Sequence, residues 1–114
     1  MKNILDKATL WLSDTFDTET QQEIQQLISS NSNDLTDRFY KDLEFGTGGM
    51  RGMMGAGTNR INKYTLGKAT QGLSNYLKKS YPNEEIKVAI AYDCRHNSDT
   101  FSRLVAEVLS ANDI

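Results

Sequence analysis

With 114 residues the chain is one domain or less, and its 38% hydrophobic content is enough for a modest globular core. Its formal net charge of −2 provides no broad cationic field, which argues against nonspecific nucleic-acid binding, and no apolar run is long enough to cross a bilayer. The single cysteine, Cys94, excludes an intrachain disulfide and a cysteine-rich metal site, so we expect a reducing, cytoplasmic location.

Residues 1–43 contain no glycine or proline and are predicted to form a helical leader. Thr18 followed by Gln21 is typical of a capping box at a helix start. The apolar stripes could form a partner surface or pack on the protein itself, and their narrowness favours packing. Three stripes recur with helical spacing: Ile4, Leu5, Ala8, Trp11 and Leu12; Ile24, Leu27 and Ile28; and Leu35, Phe39, Tyr40 and Leu43.

The segment LEFGTGGMRGMMGAGTN, from Leu43 to Asn59, contains six glycines and one cation, Arg51. Glycine allows the backbone to approach a bound group, and clustered N–H groups in such turns bind anions. A lone arginine adds a forked donor that suits phosphate oxygens. The same composition is also typical of a glycine-rich hairpin with a solvated arginine, and the chemistry leaves both interpretations open. Either way, we expect one or two short strands joined through glycine turns.

The rest of the chain reads as helix, strand and helix. A helix is predicted up to about Ser80, and its Gly67 and Gly72 indicate close packing against another element. Residues 86–92 are predicted to form a strand, and its middle is nearly continuously apolar, as expected when both faces of a sheet are covered. Ser98 can cap a last helix. The order of elements predicts an α/β fold with a mixed or parallel sheet flanked by helices.

Two blocks resemble a known enzyme family. FYKDLEFGTGGMRG followed by GAGTNRIN is similar to the opening segment of the α-D-phosphohexomutases, the phosphoglucomutase and phosphomannomutase superfamily, and most similar to its bacterial phosphoglucomutase and phosphopentomutase branch. VAIAYDCRHNS, at residues 88–98, resembles the family's strand and Asp-x-Arg-x-x-Ser turn. The resemblance covers essentially the whole chain. It implies a helical leader over 1–43 and an incomplete phosphohexomutase domain I, of α/β class, over 44–114.

The resemblance also implies site residues. Arg51 matches the family's arginine that reaches the active site and contacts phosphate, and Thr47 with the backbone of Gly48 and Gly49 would line the same wall.

A second group of candidates follows the predicted strand. Asp93 and Arg95 lie at its carboxyl end, the edge where ligands bind in open α/β sheets. The two side chains can pair with each other, or Arg95 can hold a neighbouring loop, and the resemblance implies that they support the active site. No metal ligand is predicted, because His96 has no second histidine or cysteine cluster to join.

The family's phosphoserine loop, Ser-His-Asn-Pro, and its Asp-x-Asp-x-Asp metal loop do not occur in these 114 residues. We therefore expect an N-terminal or truncated piece that is inactive and binds no metal alone. The full-length enzyme would use Mg²⁺ and move phosphate between C1 and C6 of a hexose, or C1 and C5 of a pentose, through the phosphoserine. Its partners would be sugar phosphates and the remaining mutase domains, without nucleic acid or membrane, and the isolated chain is expected to self-associate.

Two other classes of function stay open on the residues alone. One is a stand-alone phosphate- or nucleotide-binding module built on the glycine loop, and the other is an interaction protein that uses the N-terminal helices. Against the first, the glycines fit neither G-x-G-x-x-G nor a P-loop, and no lysine follows them as a P-loop needs.

Overall fold

The computed structural model describes residues 2–46, 49–50, 52–91 and 97–114. The chain divides into two compact units, residues 1–62 and 63–114. The first unit contains helices α1 (Lys2–Leu10), α2 (Thr18–Ser29) and α3 (Asp34–Phe39) and strands β1 (Phe45–Gly46) and β2 (Gly49–Met50). The second contains helices α4 (Lys63–Ser80) and α5 (Ser98–Ala111). Within the described ranges, no helix combines the length and apolarity that crossing a membrane requires.

The helices of the first unit bury their narrow apolar stripes against one another. Ile24 and Phe39 are fully buried, and Leu35 is nearly so. The Trp11 ring stacks on Phe16 with centroids 4.5 Å apart and meets the edge of Phe39 at 5.6 Å. Burial of such side chains contributes about 1.5–3 kcal/mol each, so these contacts are the main hydrophobic stabilisation of the unit. The leader therefore packs within its own unit, as the narrow stripes predict.

Helix α2 begins at Thr18, one residue earlier than a Thr18 cap requires. The carboxylate of Asp17 caps it, accepting from the Thr20 backbone N–H at 3.2 Å and from the Thr20 hydroxyl at 2.6 Å. The side-chain amide of Gln21 donates to the carbonyl of Ser13 at 2.7 Å. The predicted capping box of Thr18 and Gln21 is wrong, because a stronger acceptor precedes Thr18 and the glutamine bonds the incoming turn instead.

The glycine-rich segment forms an antiparallel hairpin. Phe45 of β1 lies opposite Met50 of β2, and Gly46 lies opposite Gly49. The expected short strands are therefore confirmed. An isolated parallel bridge between residues 54 and 61 completes the strand pairing in the part of the chain that the structure describes.

The second unit is a pair of packed helices. Leu109 is its buried apolar residue, and Thr70 and Ser74 are also buried. Each hydroxyl donates to the carbonyl four residues earlier, at 2.8 Å for Thr70 and 2.9 Å for Ser74, which satisfies both without a partner on α5. Gln71 and Asn112 exchange two amide hydrogen bonds of 3.0 and 2.9 Å, which join the middle of α4 to the end of α5.

The predicted mixed or parallel sheet is not observed among the described residues. Residues 86–91 have no regular secondary structure, and Val88 and Ile90 are 40% and 38% exposed. Tyr92, the last residue of the predicted strand, lies outside the described residues. A strand needs neighbours that pair with its N–H and C=O groups, and the described residues place no strand beside 86–91.

Two local expectations in the second unit are also wrong. A Cβ built on Gly67 or Gly72 meets no described atom within 4 Å, so neither glycine marks close packing within the described part of the chain. Ser98 is the first residue of α5 and not its cap, because Asn97 occupies the N-cap position with a left-handed φ of 65°.

Candidate functional site

The structure describes only part of the predicted phosphate site. Gly49 lies in β2, directly opposite Gly46 of β1. The other predicted site residues lie outside the described residues: Thr47 and Gly48, which connect the two strands in sequence; Arg51, which follows β2; and Asp93 and Arg95. Their contacts with phosphate and with the active site therefore stay predictions. What the structure does describe is the base on which the hairpin stands.

Both ends of the hairpin rest on one loop, residues 55–61, which we call the anchor loop. On the entry side, the Leu43 N–H donates to the Thr58 carbonyl at 2.9 Å. On the exit side, the Ile61 N–H donates to the Met53 carbonyl at 2.8 Å, and the Gly55 N–H donates to the Ile61 carbonyl at 3.2 Å. The position of the hairpin thus depends on the position of the anchor loop.

The entry and exit segments also touch each other. A Cβ built on Gly52 would lie 2.8 Å from Cδ1 of Leu43 and 3.8 Å from the side chain of Ile61. The backbone that leaves the hairpin therefore passes directly over the side chain at its entry.

Two glycines let the anchor loop approach α3. Gly57 has φ of 124°, and a Cβ there would lie 2.7 Å from the carbonyl oxygen of Arg38. Gly55 has φ of 144°, and its Cβ would lie 2.9 Å from Nη1 of the same arginine. A side chain at Gly57 would meet both a rare backbone conformation and a backbone atom, so glycine is required there on two counts.

Two side chains hold the peptide groups of Ala56 between those glycines. Oε2 of Glu23 accepts from the Ala56 N–H at 3.0 Å, and Nη1 of Arg38 donates to the Ala56 carbonyl at 3.1 Å. The same two atoms bond each other at 2.5 Å. Because Ala56 is 4% exposed, water has little access to these groups, and the pair replaces it. We call Glu23 and Arg38 the Ala56 clamp.

The clamp belongs to a larger ion network on α3. Asp34 accepts from Nε of Arg38 at 2.7 Å and from Nη2 of Arg60 at 3.1 Å, and Arg60 also bonds Asp37 at 2.7 Å. The hydrogen bond from Arg38 lowers the pKa of Asp34, and it outweighs the desolvation that opposes the charge. Desolvation likewise opposes the charge of Arg38, but its bonds to Asp34 and Glu23 prevail and raise its pKa. Arg38 thus stays charged while it binds the loop.

Two asparagine amides complete the support of the anchor loop. Nδ2 of Asn62 donates to the carbonyls of Gly55 and Gly57 at 2.8 and 2.9 Å. Asn59 donates through Nδ2 to the Asp37 carbonyl and through its backbone N–H to the Arg38 carbonyl, both at 2.9 Å. The loop is therefore held through its backbone rather than through an apolar side chain.

Sequence reasoning missed the Ala56 clamp. The i,i+4 spacing of Asp34 and Arg38 is a local signal for their ion pair. Glu23 lies 33 residues before Ala56, and no motif links the two positions. The clamp becomes visible only once the leader and the loop are folded together.

The described residues do not fit the magnesium site that the family resemblance implies. No group of three or more His, Cys, Asp or Glu side chains within them is arranged to hold a metal ion. The acidic cluster of the first unit, Glu23, Asp34 and Asp37, forms ion pairs with Arg38 and Arg60 instead.

Comparison with known proteins decides the family. Residues 42–114 match the family model for phosphoglucomutase/phosphomannomutase, alpha/beta/alpha domain I. The chain belongs to the phosphoglucomutase/phosphomannomutase family. The matched range includes the glycine-rich hairpin, the anchor loop and both helices of the second unit. It confirms an α/β domain at the level of the family, whereas the sheet itself is not observed in the described residues.

Curated relatives extend the likeness into the leader. A phosphoglucomutase of Staphylococcus epidermidis is 33% identical over 118 residues, covering 100% of this chain and 19% of its own length. A phosphoribomutase of Saccharomyces cerevisiae is 32% identical over 105 residues, covering 91% of this chain and 17% of its own length. A phosphoglucomutase of Staphylococcus aureus is 42% identical over 78 residues, covering 68% and 14%. The chain therefore spans less than a fifth of these relatives, and no solved structure matches it significantly.

The folded leader also bears on the interaction-protein alternative. That alternative needs exposed apolar stripes on the N-terminal helices, but Trp11, Ile24, Leu35 and Phe39 are buried within the first unit. Leu5 and Tyr40 of the same stripes stay about half exposed, so the structure reduces the apolar surface on which the alternative depends and does not remove it.

Proposed function

We propose that this chain supplies the phosphate-binding wall of domain I in a full-length phosphosugar mutase. The observation that carries the proposal is the domain I match over residues 42–114, which contains the whole glycine-rich hairpin. The names of the relatives, phosphoglucomutase and phosphoribomutase, favour a hexose or pentose phosphate as substrate.

The proposed reaction has two phosphoryl transfers, and a different phosphoryl group moves in each. A phosphoserine in the full-length enzyme transfers its phosphoryl to the free hydroxyl of a hexose 1-phosphate at C6, or of a pentose 1-phosphate at C5. The bisphosphate then reorients within the site and returns its other phosphoryl group to the serine, which restores the phosphoserine of the enzyme. Phosphoryl transfer depends mainly on positioning and on stabilisation of charge on the transferring oxygens.

Within this scheme the chain's own residues bind and orient phosphate. The guanidinium of Arg51 donates paired hydrogen bonds to phosphate oxygens, and the hydroxyl of Thr47 and the N–H groups of Gly48 and Gly49 line the same wall. Asp93 and Arg95 are proposed to support this wall from the turn that follows residue 91. Mg²⁺ is proposed as the metal of the full-length enzyme from the family resemblance, with no ligand assigned in this chain.

Further proposals concern the domain organisation, activity, location and self-association of the chain. We propose a helical leader at 1–43 and a domain I segment at 44–114, whose residues 86–92 join a mixed or parallel sheet when neighbouring strands are present. We propose that the 114-residue chain alone has no mutase activity and that it works in the cytoplasm. The exposed Val88 and Ile90 favour self-association of the isolated chain, and a single monomeric mass by light scattering across a concentration series would contradict it.

The decisive experiment is Arg51→Ala in the full-length enzyme. Loss of a group that stabilises a transferring phosphoryl costs several kcal/mol in comparable sites, so we expect kcat/KM to fall by roughly a hundredfold or more. Arg51→Lys should recover part of the loss, since lysine keeps the charge without the planar fork. Arg103→Ala, on an exposed position of α5, is the matched control and should leave kcat/KM unchanged.

Two results would overturn the assignment. Wild-type kinetics for Arg51→Ala would make Arg51 a solvated turn residue. Absence of any interconversion of glucose 1-phosphate, or of ribose 1-phosphate, by the full-length protein with its bisphosphate activator would reject the mutase function itself.

A further inference from the structure

We propose that Glu23 and Arg38 are positioning residues of the phosphate site, because they fix the anchor loop on which both ends of the glycine-rich hairpin rest. The inference rests on the proposed function for its catalytic consequence. Its mechanical part, a link from α2 and α3 to the hairpin, rests on contacts within the first unit alone.

The first step of the link is the grip on Ala56. Glu23 supplies an acceptor to the Ala56 N–H and Arg38 supplies a donor to its carbonyl, at 3.0 and 3.1 Å. The residue is 4% exposed, so either group would lack a ready partner without the clamp. The glycines on both sides have no side chain with which to hold the loop. Among the described contacts the clamp is therefore the polar attachment of residues 55–57 to α2 and α3, whereas Asn59 and Arg60 attach the following residues to α3.

The second step passes from the anchor loop to the hairpin. Two residues after Ala56, the Thr58 carbonyl accepts from the Leu43 N–H at 2.9 Å, two residues before β1. The Thr58 hydroxyl also donates to the Lys41 carbonyl at 2.9 Å. On the other side, the Ile61 N–H holds the Met53 carbonyl at 2.8 Å, three residues after β2. A shift of the loop therefore moves both ends of the hairpin that precedes Arg51.

The network provides its own matched control. Asp34 bonds Arg38 and the side chain of Arg60, a residue of the anchor loop, but among the contacts of the described residues it makes no hydrogen bond to the backbone of the loop. Asp34→Asn removes a charge from the same network and keeps the shape of the side chain. Loss of the side-chain ion pairs, including the one to Arg60, would thus appear in Asp34→Asn, whereas loss of the hydrogen bonds to the Ala56 backbone would appear only in clamp variants.

The first experiment uses the 114-residue chain and needs no activity. Hydrogen exchange of the Leu43 amide is compared in wild type, Glu23→Leu, Glu23→Gln and Asp34→Asn, under conditions where Trp11 fluorescence shows each to be folded. We expect exchange at Leu43 to accelerate about tenfold or more in Glu23→Leu, because local opening becomes easier. Glu23→Gln retains an acceptor for the Ala56 N–H and should stay near wild type, as should Asp34→Asn. Equal acceleration in Glu23→Leu and Asp34→Asn, or none in Glu23→Leu, would overturn the link.

The second experiment measures kcat/KM of the same variants in the full-length enzyme. Misplacement of a binding group by about 1 Å can cost roughly a hundredfold in rate, so we expect Glu23→Leu to lose at least about tenfold. Glu23→Gln should recover most of that loss, which a purely structural loss of charge would not allow. Arg38→Met, which removes the donor to the Ala56 carbonyl, provides a second variant if Glu23→Leu does not fold.

The outcomes separate the two proposals. Wild-type kcat/KM in Glu23→Leu, or a loss that Asp34→Asn reproduces, would reject the positioning role while leaving the mutase function intact. An inactive wild-type enzyme would reject the mutase function and with it the catalytic part of this inference, whereas hydrogen exchange at Leu43 would still decide the mechanical link.

Discussion

The two compact units differ in what fills their interiors. Among the described residues, the first unit buries Ala8, Trp11, Ile24, Leu35, Phe39 and Ala56, whereas the second buries Leu109 as its apolar residue. In the second unit the apolar Val88 and Ile90 stay partly exposed in a segment without regular structure. Short amphipathic helices thus find partners close by in sequence. A buried strand depends on neighbours that its own segment cannot provide.

The largest expected effect tests whether the first unit depends on its core. Phe39→Ala should lower the free energy of unfolding of residues 1–62 by about 3–5 kcal/mol, because Phe39 is fully buried and leaves a cavity. Trp11, the single tryptophan, lies 5.6 Å from the Phe39 ring, so its fluorescence reports this unit during denaturant unfolding. Tyr40→Ala is the control, since Tyr40 is 51% exposed and its removal should cost little. Similar losses for both variants would show that the core does not stabilise the unit.

The helices were predictable from the sequence because their signals are local. The spacing of Trp11 and its neighbours, and of Leu35 and Phe39, is sufficient to place helices and their buried faces. The predicted starts of the helices were less accurate, since Asp17 caps α2 although Thr18 fits the capping-box pattern better. The strand at 86–92 was predicted from its apolar residues and from the family resemblance, and neither supplies the hydrogen-bonding neighbours that a strand requires.

The candidate site likewise has one part that was predictable from the sequence and one part that was not. The glycine-rich hairpin could be found from its residues, since glycine and a lone arginine form a recognisable pattern. The clamp could not, because Glu23 and Ala56 are 33 residues apart and meet only in the folded unit. Gly55 and Gly57 could be recognised in the sequence as turn residues, whereas nothing in the sequence identified Arg38 of α3 as the residue that they approach.

The next largest effect tests the close approach of the anchor loop to α3. Gly57→Ala should destabilise the first unit by roughly 1–3 kcal/mol, because it strains a positive φ and places Cβ 2.7 Å from the Arg38 carbonyl oxygen. Denaturant unfolding followed by Trp11 fluorescence measures the change. Gly67→Ala, which adds the same methyl group in open space on α4, is the control and should not lower the stability of residues 1–62. An unchanged midpoint for Gly57→Ala would mean that the loop does not sit against α3.

A smaller effect should appear in acid. The pKa of Asp34 is lowered below its ordinary value of 3.8 by its hydrogen bond from Arg38, so its folded form binds a proton less readily than its unfolded form. Its contribution to stability is therefore present above 3.8 and is lost as the pH falls through the lower folded pKa. Asp34→Asn should flatten the acid slope of the unfolding free energy of the first unit. Because the carboxylate is 40% exposed, solvent screening keeps this contribution modest. An unchanged acid slope in Asp34→Asn would assign the acid sensitivity to other carboxylates.

The smallest expected effect has the opposite sign and belongs to the second unit. Gly72 lies on an exposed face of α4, and a Cβ there meets nothing within 4 Å among the residues that the structure describes. Alanine at this position restricts the unfolded chain and favours the helix, so Gly72→Ala should stabilise α4 by about 0.5–1 kcal/mol. Hydrogen exchange of the α4 amides measures this change, and Trp11 fluorescence of the first unit should not respond.

Stabilisation would confirm that this face of α4 is open in the 114-residue chain. A neutral or destabilising result would instead show that another element packs against Gly72 in solution, as helix glycines commonly indicate. The contrast between a first unit with a filled interior and a second unit with an open helix face would then fail.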